Sequence, residues 1–272
     1  MISSTKSPRV KNVTALLSRA KERKKQKLFI VEGPRMFEEI PVGLLRETYV
    51  AEGYLAQHGE EAERMLDGTS YEIVTDDVMR AMSDTIHPQG VLAVVSQKEW
   101  APEDVLTARK DGHPALLMVL ETLQDPGNLG TILRMGEGAG VTGLLVNEET
   151  ADIYNPKVIR STMGSIYRMP VLRVSDLPAA VREAKQKGIR MHAAHLGGIS
   201  VYDREDYTGP SAFMIGNEAA GLSDTMADLA DILVRIPMAG QVESLNAAVA
   251  ASVLALRSAR SLVMAPILES SI

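Results

Sequence analysis

The sequence predicts an α/β protein in two parts, the larger built on a parallel sheet with helices on both faces. Three observations predict it. From residue 115 onward the apolar runs "ALLMVLE", "GLLVN", "RMHAAH", "AFMIG" and "LVRIP" read as strands. Helical runs at 127–139, 155–162 and 176–188 lie between them, and strands alternating with helices are the pattern of a covered parallel sheet. The last run, "SLNAAVAASVLALRSAR", is a long Ala/Leu/Val helix suited to a buried face.

The first part is a smaller α/β unit. "RVKNVTALLSRAKERKKQ", residues 9–26, reads as one basic helix with a stripe of Val13, Leu16 and Leu17. "KLFIVEG" is a strand ending at Gly33, and Pro34 opens a helix. "ETYVAE", "YEIV" and "VLAVVS" are further strands, separated by the helical stretches "EEAERML" and "TDDVMRAMS". The charged, Pro- and Gly-punctuated residues 98–114 read as a linker. The expected organisation is therefore a first domain over 1–97, a linker over 98–114, a second domain over 115–262 and a loose tail over 263–272.

Composition narrows the chemistry. The 272 residues are 45% hydrophobic and 24% charged, enough to bury a sizeable core. There is no cysteine, which removes disulfides, thiol catalysis and Cys-ligated metals and suits a reducing compartment. "MISSTKSPRVKN" has no apolar signal region, and no apolar run reaches the roughly 18 residues of a membrane span. A cytoplasmic protein with no membrane partner is expected. Net charge is −6, yet residues 1–40 carry ten Lys/Arg against four Asp/Glu, leaving 19 against 31 for the rest. That asymmetry is the footprint of a face that meets an anionic polymer, or of a plain solvated helix.

Motif by motif, most familiar chemistries fall away. "GAGVTG" at 138–143 has the spacing of a dinucleotide loop, but it closes a helix where such a loop should open one. Gly138 and Gly140 read as a helix C-cap and turn. The five histidines show no metal-ligand spacing; His192 and His195 fall on opposite faces of one strand and read as structural, so no metal is expected. No P-loop or nucleophile elbow is present. What remains is three unusual loops, 121–130, 216–224 and 236–246, each following a strand, where ligands of parallel sheets bind. Turn residues explain Asp125-Pro126-Gly127-Asn128, a helix N-terminus explains Glu218, and capping explains Ser244. None of these explains all three loops together.

In order, "DPGNLGTILRMGEGAG", "MIGNEAAGLSD" and "IPMAGQVESLNAAVA" closely resemble the three motifs of the SpoU (TrmH-like) RNA ribose 2′-O-methyltransferases of the SPOUT class. The resemblance spans residues 115–260, departing slightly at Ala247 and Ala248. "RAKERKKQKLFIVEGPRMFEE" resembles the substrate-binding domain, similar to ribosomal protein L30e, that many of these enzymes carry. The resemblance implies a C-terminal trefoil knot, S-adenosylmethionine (SAM) as cofactor and an active site shared across a homodimer. It assigns the cofactor to Leu196, Ile215, Gly216, Ile236, Met238, Ser244 and Leu245. It assigns the chemistry to Arg134, Asn128, Glu218 and Asn246, with Asn128 and Glu218 orienting Arg134 and the ribose.

A guanidinium with a pKa above about 12 is a poor general base, so Arg134 is expected to hold the adjacent phosphate and the developing alkoxide. Arg19, Lys21, Arg23, Lys24, Lys25 and Lys27 are the expected phosphate contacts. The expected substrate is structured RNA, ribosomal in preference to transfer RNA, for housekeeping or for protection against a ribosome-directed antibiotic. Alternatives are a tRNA methyltransferase or a non-catalytic RNA-binding protein of the same fold.

Overall fold

The computed structural model describes residues 1–107 and 112–269, side chains being described as far as Ser261. The chain forms two compact units, one of residues 1–99 with 152–167, the other of 100–151 with the remainder.

The first unit opens with α1 (Pro8–Ser18) and α2 (Ala20–Gln26). Pro8 starts α1 where a missing N–H costs nothing, and Val10, Val13 and Leu16 are buried. The basic stretch is thus two helices, broken at Arg19, whose backbone is extended (φ −126°, ψ 109°). The break has a visible partner. Arg23 turns back and donates from Nη1 to the Leu16 and Leu17 carbonyls at 2.6 and 2.9 Å, satisfying acceptors that a helix end leaves open.

β1 (Leu28–Glu32) follows, then Gly33 at φ 98° and α3 (Pro34–Glu38). β2 (Leu45–Ala51), α4 (Glu52–Leu66, bent at Gly59), β3 (Glu72–Val74), α5 (Asp76–Met82) and β4 (Val91–Ser96) complete a four-stranded sheet of order β1-β4-β2-β3. Val13 and Leu16 pack with Ile30, Tyr49, Val78, Met82 and Val94 in its core.

The second unit begins earlier than expected, with α6 (Pro102–Leu106) inside the stretch read as linker. Val105 and Leu106 are buried in that unit's core, and a β-carbon on Gly143 would lie 2.8 Å from Val105, so this turn is packed. Residues 108–111 of the same stretch lie outside the described residues. The chain then runs β5 (Leu116–Leu120), α7 (Pro126–Ala139) and β6 (Gly143–Asn147). α8 (Pro156–Thr162) belongs with the first unit, where Asp152 pairs with Arg23 and Tyr154 packs on Phe29 at 4.8 Å.

β7 (Val171–Val174), α9 (Leu177–Gln186), β8 (Arg190–Ala194), β9 (Ser200–Val201), β10 (Ser211–Ile215), α10 (Asp224–Ala227), β11 (Ile232–Arg235) and α11 (Ala247–Glu269) follow. β7 and β9 were not among the expected strands: one is four residues with a single buried side chain, the other two residues long. α11 runs through most of the expected tail; residues 270–272 lie outside the described residues. No helix among the described residues is long and apolar enough to cross a membrane.

All seven strands are parallel, in the order β7-β6-β5-β10-β8-β11-β9. β5 and β10 are central neighbours although 90 residues of chain separate them, in register from Leu116↔Ser211 to Leu120↔Ile215. Leu117, Val119, Ala212 and Met214 face one helical layer with Val181 and Ala184 of α9. The loops leaving the carboxyl ends of β5, β10 and β11 consequently lie together, at a switch in strand order where open parallel sheets hold ligands.

Candidate active site

The first loop leaves β5 and enters α7 through Asp125, whose carboxylate accepts the Asn128 N–H at 2.8 Å, with Pro126 at the first helical position. This is an ordinary capped helix start, and it fixes Asn128 in the first turn, 9% exposed. The second loop is a tight turn closed by reciprocal backbone bonds between Asn217 and Gly221, each 2.9 Å. It is not the helix start expected for Glu218: α10 begins later, capped by Ser223. The third loop enters α11 through Asn246, whose Oδ1 accepts the Ala248 and Val249 amides at 2.9 and 3.3 Å. Asn246, not Ser244, therefore caps α11, because its carboxamide reaches those amides.

One hydrogen-bond chain ties the three loops. Glu218 accepts the Gln124 and Asp125 amides at 3.1 and 3.0 Å and the Asn128 side-chain amide at 3.0 Å. A carboxylate only accepts, so Asn128 must turn its Nδ2 to Glu218 and its Oδ1 away. That oxygen accepts Asn246 Nδ2 at 2.9 Å, which leaves Asn246 Oδ1 for the helix cap. Every amide orientation follows from the carboxylate. Burial pushes the Glu218 carboxyl up, but the hydrogen bonds from Asn128 and the Asp125 and Gln124 amides outweigh it and hold the group below its ordinary value.

Arg134 is not part of this chain. It is exposed, with no hydrogen bond or ion pair among the described residues. The expectation that Asn128 and Glu218 orient it is corrected by geometry: six residues along a helix are about 120° apart around its axis. The carboxylate that was to hold Arg134 is occupied by three N–H groups.

Beside the chain of bonds lies a cleft of about 630 Å³. Leu196, Ile215, Gly216, Ile236, Met238, Ser244 and Leu245 all line it, with His195, Glu218 and Ala220. Its lining mixes apolar side chains such as Ile215 and Met238 with polar ones, Asn217, Arg235, Glu243 and Asn246 among them. Leu196 is 61% exposed at the rim, an apolar surface that a ligand would cover. Gly216 has a separate reason to be glycine. A β-carbon there would lie 2.1 Å from the Gly221 carbonyl carbon and the Leu222 nitrogen, so a side chain at 216 breaks the loop before it excludes anything from the cleft.

The basic segment divides. Arg19, Lys21, Lys24, Lys25 and Lys27 are exposed, Lys27 beside Glu99 at 3.2 Å. Arg23 is 4% exposed and committed to Asp152 at 2.8 Å and to the end of α1. The expectation that Arg23 contacts phosphate is corrected: its fork is used up internally. His192 is buried between Tyr207 and Phe213, ring centroids 5.0 and 5.6 Å away, and His195 lines the cleft. Gly140, at φ 78°, caps α7, while Gly138 lies in its last turn.

Sequence reasoning missed Glu121, Thr122, Asn147 and Asn217. Glu121 accepts the Ser223 amide and hydroxyl at 2.8 and 2.7 Å, joining the first two loops a second time. For three of these four a signal was present: an acid or amide, Glu121, Asn147 or Asn217, at or just beyond the end of an apolar strand.

Residues 115–256 match the SpoU rRNA Methylase family, more than half of the chain. The chain belongs to the SpoU rRNA methylase family. Residues 7–93 match the MRM3-like substrate binding domain. Among curated relatives of this SpoU chain, the Bacillus subtilis (strain 168) 23S rRNA (guanosine(2553)-2'-O)-methyltransferase RlmP is 32% identical over 93% of this chain and 96% of its own. Among solved structures, the SpoU methyltransferase AviRb from Streptomyces viridochromogenes in complex with AdoMet has a TM-score of 0.83 at 28% identity, covering 95% and 99% of the two chains. An rRNA methyltransferase from Sinorhizobium meliloti has a TM-score of 0.82 at 28% identity, covering 96% and 97%.

Proposed function

We propose that this SpoU protein methylates a ribose 2′-hydroxyl of ribosomal RNA, using SAM as methyl donor. The observation that carries this reading is the Asn246–Asn128–Glu218 chain beside the cleft, which makes one site of three separate loops. The residues present fit the cofactor. A cleft of about 630 Å³ is within the usual range of roughly 300–1,000 Å³ for small-molecule sites. Apolar walls suit an adenine ring, and the backbone at the ends of β8, β10 and β11 offers hydrogen-bond groups that fix orientation. AviRb, of the same family and fold, has been solved with AdoMet. Leu196, Ile215, Gly216, Ile236, Met238, Ser244 and Leu245 would hold it.

SAM supplies a methyl group already activated on a sulfonium. The chain supplies position, which for well-oriented reactants is worth on the order of 7–11 kcal/mol. Glu218, Asn128 and Asn246 keep the loops rigid around the acceptor ribose. Arg134, exposed on another face of α7, steadies the phosphate beside that ribose and the charge developing on its 2′-oxygen. A cation of such high pKa gives up no proton; the proton passes to phosphate or water.

The active unit is a homodimer, with each site completed by the partner copy, and the second unit carries a deep trefoil knot. Val249, half-buried Val253 and Leu256 form an outward apolar stripe on α11, suited to a second copy. Arg19, Lys21, Lys24, Lys25 and Lys27 contact RNA phosphates in the cytoplasm. The basic segment overlaps the substrate-binding match, and RlmP's name specifies 23S rRNA, which supports ribosomal over transfer RNA. Mapping 2′-O-methyl positions in RNA from cells with and without the gene tests this. One ribosomal position should lose its methyl group; an unchanged rRNA map would refute the substrate assignment.

A further inference from the structure

We propose that Asn147, at the carboxyl end of β6, is a positioning residue for the methyl-transfer site, acting through a strained threonine. The inference rests on the function proposed above. Three non-glycine residues among those described have positive φ: Lys27, Met163 and Thr122. The first two end helices, where the left-handed conformation is routine. Thr122 does not. It stands two residues beyond β5 at φ 56°, and a β-branched side chain is among the least suited to that region.

Two asparagines hold it there. Asn147 accepts the Thr122 N–H at 2.8 Å and donates to the Thr122 hydroxyl at 2.7 Å. Asn217 donates to the Thr122 carbonyl at 2.9 Å. The backbone groups and the hydroxyl of Thr122 are thus all engaged, from two different loops. Asn147 is itself fixed, its Oδ1 accepting the Thr150 hydroxyl at 2.7 Å. Arg173 donates to the carbonyls of Asn147, Glu148, Thr150 and Ala151 at 2.7–2.9 Å, stiffening the loop that Asn147 begins.

The clamp matters because of its neighbours in the chain. Glu121 precedes Thr122 and holds Ser223; Gln124 and Asp125 follow and give their amides to Glu218. A Thr122 released to negative φ would swing these groups apart and unseat the Asn128–Glu218 contact. A left-handed non-glycine residue persists only when its surroundings over-determine it, and such residues gather at functional sites.

Glycine occupies this conformation without strain, so Thr122→Gly should make the clamp dispensable. Single-turnover methylation with RNA and SAM saturating is measured for Asn147→Ala, Thr122→Gly and the double variant. Asn147→Ala should be slower on the order of 10-fold, and adding Thr122→Gly should restore the rate to within about threefold of Thr122→Gly alone. Hydrogen exchange across residues 118–128 should rise in Asn147→Ala and fall back in the double variant. That readout needs no turnover, so an inactive wild type would refute the proposed function and leave the clamp testable. Should Asn147→Ala not fold, Asn147→Leu, of similar size but with neither donor nor acceptor, is judged by the same criteria. An unchanged rate and exchange, or an equal loss with glycine at 122, overturns the proposal.

Discussion

The Glu218 carboxylate accepts the Asn128 side-chain amide at 3.0 Å, joining loops 90 residues apart in sequence. Because Glu218 also takes two backbone amides, it is the point on which the first two loops are assembled.

A pH dependence follows from that contact. Glu218 is held below its ordinary value, so its contribution is fully present above the unfolded carboxylate pKa of about 4.3 and is lost as pH falls through the folded value. SAM affinity measured by calorimetry from pH 7 downward should be flat and then decline in the acid range. Glu218→Gln, which turns an N–H toward one of its donors, should bind more weakly at pH 7 and lose the acid decline. A variant with the wild-type profile would show that the loops assemble without this carboxylate.

Arg134 stands apart from the network and free among the described residues. Arg134→Ala should therefore leave folding and SAM affinity close to wild type while single-turnover methylation falls by a factor on the order of 10²–10³. Arg134→Lys should recover little, since an ammonium cannot present a planar fork to a phosphate. A rate within a few-fold of wild type for the alanine variant would remove Arg134 from the chemistry.

Arg23 and its neighbours should separate by assay. Arg23→Ala leaves two helix-end carbonyls and Asp152 without their donor, which should cost about 2–3 kcal/mol of stability in denaturant titration. Lys24→Ala with Lys25→Ala should leave stability intact and weaken RNA binding. The slope of log affinity against log salt should fall by roughly 0.7–0.9 for each phosphate no longer neutralised. Equal salt slopes in variant and wild type would reduce the segment to a solvated face.

His192 gives a second titration of opposite consequence to a stabilising pair. Burial lowers its pKa, Arg190 lowers it further, and the negative charges of Glu205 and Asp231 only partly compensate. The unfolded chain thus binds a proton near pH 6.5 that the folded chain refuses, so stability rises with pH and falls on acidification below that point. The limiting slope is about 1.4 kcal/mol per pH unit. His192→Leu should flatten the stability profile between pH 5 and 6.5; an unchanged slope would assign it to other groups.

Much of this was legible because strands buried on both faces write continuous apolar runs, and three loops whose joint occurrence ordinary turns and caps do not explain follow them. Asn128, Glu218, Asn246 and the seven residues expected at the cofactor came from the resemblance of those loops to three family motifs, and the seven share one cleft. What one strand owes another was not legible. Arg23 reads as one more cation in a basic run until its fork is seen on Leu16, Leu17 and Asp152. Thr122 reads as an ordinary turn residue, because its backbone angle depends on Asn147 and Asn217, 25 and 95 positions away. β9 escaped for a simpler reason: two residues are too short to carry a pattern.

Methyl transfer to a ribose 2′-oxygen can be read chemically. Purified protein is incubated with methyl-labelled SAM and deproteinised ribosomal RNA, and the product is hydrolysed in alkali, which cleaves only where a 2′-hydroxyl is free. Label is expected in an alkali-resistant dinucleotide from one position, with Arg134→Ala giving little. Label recovered on a base, or no label in any RNA fraction, would contradict it.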